Sequence, residues 1–238
     1  MIILLPPSEG KAEGGAPRTS WDPAGGSVGP RLGAMRAEVA TALARAKGGD
    51  QKLLGVKGDV LERARAANRM LPGSPTLPAW QRYTGVVWDH LDLASMAAPA
   101  RKSALRSVWV PSGVMGIVRA DDPVPEYKLK MGASVQPMGK LSTWWRPAVT
   151  AELARLARRD MIVDLLPQEH AAAVDWSSLT NVVHVDLVAR AGGAAGGHFA
   201  KAAKGLLARW LLDNAGAGVP AALESFRNTD YTARMRKD

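Results

Sequence analysis

The sequence predicts a single α/β (α+β) domain spanning residues 1–238, with a mixed β-sheet flanked by helices. Three observations predict it. Short continuous apolar runs end abruptly at Pro, Gly or charged residues, as buried strands do. These runs alternate with segments whose apolar residues recur at helical spacing. No linker and no internal repeat divides the 238 residues, a length within the range of one α/β unit.

Met1–Leu5 reads as a buried strand stopped by Pro6 and Pro7. The Gly- and Pro-rich stretch to about Arg31 has no periodicity and reads as a long loop, a kind that is functional or disordered in most compact domains. From Ala34 to Lys47, the spacing of Met35, Val39, Leu43 and Ala46 is helical. Asp59 and Glu62 resemble a capping box opening a helix that carries Leu61, Ala64 and Asn68. Leu77–Asp92 reads as a helix pair, or a short helix with turns. Ser107–Val110 is a strand ending at Pro111. Trp145–Arg158 reads as a helix with Pro147 in its first turn. Met161–Leu166 and Val182–Val188 are two more strands, broken by the polar residues Asp164 and His184. Ala200–Asn214 is the clearest amphipathic helix. It puts Phe199, Ala203, Leu206, Leu207 and Trp210 on one side, and Lys201, Lys204 and Arg209 on the other.

Composition narrows the function classes. Apolar residues make up 47% and charged residues 22%, the balance of a globular chain rather than a disordered one. With no cysteine, disulfides and thiolate metal sites are excluded. Met1–Leu5 is too short for a signal peptide, and no apolar stretch approaches the roughly 20 residues of a membrane helix. A cytoplasmic protein without a membrane partner is expected. The net charge of +9 favours polyanionic partners. The Ala-, Gly- and Arg-rich composition is equally what a coding bias would leave.

Several familiar motifs fail. The Gly-rich segment before the last amphipathic helix has His198 and Phe199 where a phosphate loop needs Lys and Ser or Thr, and Ala194 breaks a dinucleotide pattern. It reads better as a flexible turn. None of His90, His170, His184 and His198 has a histidine partner at i, i+4, so no metal site is expected. Ser112 lacks a base evident from sequence. No cofactor is implied.

Four stretches place polar groups beside Gly and Pro at the ends of apolar strands, where sites form in α/β proteins. The first is P-P-S-E-G-K, in which Ser8 and Glu9 offer a hydroxyl and a carboxylate, Gly10 allows close approach and Lys11 supplies charge. It could also be an ordinary surface turn. The second joins S-G-V-M-G-I-V-R to E-Y-K-L-K-M-G, where Lys128 and Lys130 would share one face if extended. Tyr127 beside these two lysines suits phosphate or base contacts, and equally a solvated edge. The third is L-P-Q-E-H, with Glu169 just past a strand end. The fourth is the basic face of the last helix, whose Gly205 costs about 1 kcal/mol relative to Ala and so points to a close approach by a ligand or a neighbouring backbone.

Taken together with W-D-H-L-D, T-W-W and A-K-A-A-K-G-L-L-A-R-W, these stretches resemble the YaaA peroxide-stress family over nearly the whole length. The matching positions are Ser8, Lys11, Gly113, Gly116, Tyr127, Lys128, Gly132, Trp144, Glu169, Lys201, Lys204 and Gly205. The sequence departs from the family at P-P-S-E-G-K, where S-P-A-K-T is usual, and in a short C-terminal part. The resemblance implies a compact α/β fold with a positively charged cleft, DNA binding, and a role in limiting iron-driven damage under peroxide stress. The expected phosphate or nucleic-acid contacts are Ser8, Lys11, Tyr127, Lys128, Lys130, Lys201, Lys204 and Arg209. The expected partner is DNA, bound with weak sequence selectivity. The alternative is an enzyme acting on a nucleotide or nucleobase, with Glu9 and Glu169 as candidate acid–base groups.

Overall fold

The computed structural model describes residues 1–191 and 197–236. The turn expected at the Gly-rich segment Ala191–Gly197 lies largely outside the described residues. One six-stranded sheet organises the rest: β1 (Ile2–Leu4), β2 (Val108–Ser112), β3 (Gly116–Arg119), β4 (Ile162–Asp164), β5 (Val182–Ala189) and β6 (Tyr231–Met235), in the order β6-β5-β4-β1-β2-β3. The four inner strands run parallel, and β3 and β6 close the edges antiparallel. β1 lies at the centre, with Ile3 opposite Val108 on one side and Val163 on the other. A parallel strand covered on both faces must be apolar throughout, and Ile2, Ile3 and Leu4 are all buried.

Pro111 does not end β2; the strand continues to Ser112, pairing Pro111 with Ile117. This is tolerated because β1 pairs only as far as Trp109, so no partner on that side needs an N–H from Pro111. The polar breaks Asp164 and His184 face each other in register on β4 and β5, and Asp164 Oδ2 lies 2.8 Å from His184 Nδ1. Each satisfies the other beside the core.

The helices are α1 (Gly29–Arg45), α2 (Gly58–Arg69), α3 (Val86–Leu91), α4 (Ala98–Ser107), α5 (Leu141–Ala157), α6 (Gly197–Asp213) and α7 (Val219–Ser225), with several single turns between them. The Leu77–Asp92 region opens with a short strand, Thr76–Pro78, paired with Pro123–Pro125. A turn of helix and α3 follow. The expected capping box is absent, since α2 starts at Gly58 with Asp59 inside its first turn and Glu62 bonded to Arg65. α5 begins four residues earlier than its spacing suggests, which puts Pro147 in the second turn. Pro147 cannot donate to the Thr143 carbonyl, and both residues lie on the exposed face of the helix.

The faces of α6 depart from the helical-wheel expectation. Ala203, Leu207, Ala208 and Leu211 are buried, but Phe199 and Leu206 are exposed. Lys204 points inward instead and donates through Nζ to the Leu165 carbonyl just past β4. The cause is Gly205. A Cβ there would stand 2.3 Å from the Val87 carbonyl and 2.8 Å from His90 Cβ. α6 therefore packs backbone to backbone on α3, rotated so that Gly205 is the contact.

Candidate functional site

Connections leave the C-terminal ends of β1 and β4 in opposite directions, because β2 follows on one side of β1 and β4 and β5 lie on the other. Such a switch point opens a crevice beyond the strand ends. Residues 5–12 after β1 and 165–170 after β4 form its two lips.

The first lip is held against the segment leading into α3. Trp88 Nε1 donates to the Pro6 carbonyl at 3.2 Å, Thr84 N to the Gly10 carbonyl at 3.3 Å, and Ala12 N to the Arg82 carbonyl at 2.9 Å. Gly85, at φ +119°, passes so close that a Cβ would stand 2.9 Å from Ser8 Oγ. Arg82 is fully buried, and its guanidinium donates to the carbonyls of Ala12, Gly14 and Val124. The loop carrying Lys11 is thereby fixed.

Lys11 lies at the floor of the crevice. Its Nζ donates to the Ser8 carbonyl at 2.9 Å and stands 4.2 Å from the centre of the Tyr127 ring and 5.6 Å from that of Tyr83. Beneath it runs a buried hydroxyl chain. Tyr83 Oη and Tyr127 Oη are 2.9 Å apart, Ser112 Oγ donates to Tyr127 Oη at 3.0 Å, and Met115 N donates to Ser112 Oγ at 3.2 Å. Burial holds both phenols above their usual range. Burial, reinforced by the nearby charge of Lys128, brings the Lys11 ammonium down to about 7; Glu9 opposes this only in part.

Asn68, buried on α2, positions the next cation: it donates to the Lys128 carbonyl and accepts from the Lys128 N–H, both at 2.9 Å. Lys130 pairs with Glu9 at 3.0 Å across the mouth, and this bond lowers the Glu9 carboxyl and raises the Lys130 ammonium. On the other lip, Glu169 Oε1 accepts from Gly132 N at 3.0 Å. His170 Nδ1 is buried with no hydrogen-bond partner among the described residues. Burial, with Lys204 and Lys11 nearby, lowers the His170 imidazole despite Glu169, which keeps the ring neutral at pH 7. Burial also lowers Lys204, with Asp164 opposing.

Ser8, Lys11, Tyr127, Lys128, Lys130, Glu169 and His170 line one cavity of about 50 Å³. Ser8, Glu9 and His170 are shared with an adjoining cavity of about 450 Å³, whose far wall holds Lys201 and Lys204. The crevice is concave rather than an open stripe. Arg209 stands apart, its guanidinium held by Asp213, the Asp92 carbonyl and Ser95. Tyr127 contributes a ring face, since its hydroxyl is engaged below. Sequence reasoning missed Tyr83, Asn68 and His170. The first two carry no local signal, because their partners lie far along the chain. His170 adjoins Glu169 in L-P-Q-E-H and was within reach.

The chain is similar to known proteins over most of its length. A UPF0246 protein of Streptomyces coelicolor is 35% identical over 97% of this chain and 91% of its own length. One from Corynebacterium efficiens is 34% identical over 69% of this chain, and one from Ruegeria is 27% identical over 90%. The model of the family described as peroxide stress protein YaaA matches residues 1–237. A match of that extent, with the P-P-S-E-G-K, E-Y-K-L-K and P-Q-E-H segments gathered at one crevice, establishes that the chain belongs to the YaaA peroxide-stress family.

Proposed function

We propose that the crevice binds DNA, holding the sugar–phosphate backbone along its lysines and admitting one nucleotide unit between the two lips. The observation that carries this reading is the convergence of Lys11, Lys128, Lys130, Lys201 and Lys204, from three separate chain segments, on one end of the sheet. Phosphate contacts of this kind give affinity without reading sequence. In a peroxide-stress protein, bound DNA would be shielded from iron-driven damage.

Lys128 and Lys201 are the cations to remove, because Lys204 is tied to Leu165 and Lys130 to Glu9. The slope of log affinity against log salt on duplex DNA is expected to fall by about 0.9 for each of the two replaced by Ala, equally for unrelated sequences. An unchanged slope moves the contact surface elsewhere.

The concavity favours a second reading. An enzyme acting on a nucleotide or nucleobase would use the neutral His170 and the Glu169 carboxylate as acid–base groups. Retention of mononucleotides together with no retention of duplex at low salt would select it.

A further inference from the structure

We propose that Lys11 is a carbonyl-condensing amine, whose Nζ forms an imine with a phosphate-flanked aldehyde of the kind presented by the ring-opened deoxyribose of an abasic DNA site. The inference deepens the reading of the crevice as a DNA site and rests on it for the macromolecular source of the aldehyde.

The geometry around Nζ is that of a nucleophile rather than an ion-pair partner. It uses one proton on the Ser8 carbonyl and lies over the Tyr127 ring. Among the described residues no carboxylate stands within ion-pair distance of it. It opens into the cavity bounded by Lys128 and Glu169, and the neighbouring cavity carries Lys201 and Lys204. A sugar aldehyde set over Lys11 would have cations on both sides for its two phosphates. His170 shares the cavity, with a buried, unpartnered Nδ1 able to take a proton.

The groups facing Lys11 set its charge. Lys128 and Arg82 disfavour the ammonium, Glu9 and Glu126 favour it, and desolvation beside Tyr83 and Tyr127 outweighs both carboxylates. With the amine near 7, a large share is unprotonated at neutral pH, as amine catalysis requires. In the step, the nitrogen lone pair attacks the carbonyl carbon as the C=O π pair moves to oxygen, and one proton passes from nitrogen to that oxygen, giving a carbinolamine. Loss of the remaining N–H proton and of that hydroxyl as water leaves the C=N bond. Amine and aldehyde thus give imine and water, and no oxidant or reductant is consumed.

The test is borohydride trapping on the wild-type protein, which reduces the imine to a stable secondary amine. One probe is a duplex with a single abasic site, the other glyceraldehyde 3-phosphate; retention of an intact duplex is measured in parallel. The expected result is a covalent protein–DNA adduct that maps by peptide mass to the Lys11 peptide and is lost in Lys11→Arg. Trapping is expected to reach half its maximum near the Lys11 value of about 7. An adduct at Lys11 from the small aldehyde without retention of any duplex would keep the condensing amine and overturn the DNA source. Retention of intact duplex with no adduct from either aldehyde would overturn the inference and leave the DNA reading standing. An adduct mapping to Lys128 or Lys201 would overturn it as well.

Discussion

Two sets of cations in this protein carry the same formal charge to opposite ends. Arg36 and Arg82 are buried in the scaffold, and their guanidiniums are spent on backbone carbonyls. Arg36 donates to Met115 and Ile117 at 3.0 Å and to Gly25 at 2.9 Å; Arg82 donates to Ala12, Gly14 and Val124. The crevice lysines, by contrast, have few protein partners: Lys11 meets one carbonyl and an aromatic face, and Lys201 is exposed at the rim. A planar fork with five donors suits fixed carbonyls, whereas a mobile ammonium suits a ligand that comes and goes. The net charge of +9 therefore does not measure the charge available to a partner. Part of it is structural.

The sharpest way to break this contrast is to remove a scaffold arginine. Arg82→Met leaves at least three carbonyls without their guanidinium, and each such charge-assisted bond is worth about 1.5–3 kcal/mol. A loss of at least about 3 kcal/mol in chemical denaturation is expected, because each carbonyl left buried without a donor costs about 1–3 kcal/mol. A loss below that of Lys201→Ala would contradict the division of labour.

Next in size is Gly205→Ala. Its new methyl would meet the Val87 carbonyl, so α6 must move off α3 at a cost of about 1–3 kcal/mol. Because α6 carries Lys201 and Lys204, the same variant is expected to weaken DNA retention. Denaturation and retention measured together check both effects.

Lys11 gives a pH-dependent effect. Its ammonium falls from 10.5 to about 7 on folding. The unfolded chain therefore binds more protons between those values, and this residue's contribution to stability rises with pH across that window. Below about 7 both states are protonated and the full penalty of burying the charge remains. Lys11→Met removes that penalty, so the variant's stability relative to wild type is expected to be highest near pH 6 and to decline toward pH 10. Paired denaturation series at the two pH values read this directly. Smallest is Lys201→Ala, exposed and in no ion pair among the described residues, expected within about 0.5 kcal/mol of wild type.

Three inner strands, β1, β2 and β4, were legible because burial on both faces selects apolar residues, as in Ile2–Leu4 and in Ile162 and Val163 before Asp164. β5 is only partly buried and was legible from its Val-rich run. The edge strands β3 and β6 were not. G-I-V-R and Y-T-A-R-M pair antiparallel with one neighbour, and β6 is exposed along part of its length. The site's lips were legible as P-P-S-E-G-K and L-P-Q-E-H, since polar groups directly after a buried strand must emerge at its end. Lys204 was misplaced on a solvent face because a helical wheel has no knowledge of Gly205 resting on α3. Tyr83, 44 residues from Tyr127, joins the hydroxyl chain only through folding.

The most direct test of the central claim is a lysine footprint. The protein is acetylated with and without an unmodified duplex at low salt, and each lysine is followed by peptide mass. Protection is expected at Lys11, Lys128, Lys130 and Lys201, with Lys47, Lys57 and Lys102, exposed elsewhere on the surface, modified at unchanged rates. Uniform protection, or protection confined to the latter three, would contradict a DNA site at the ends of β1 and β4.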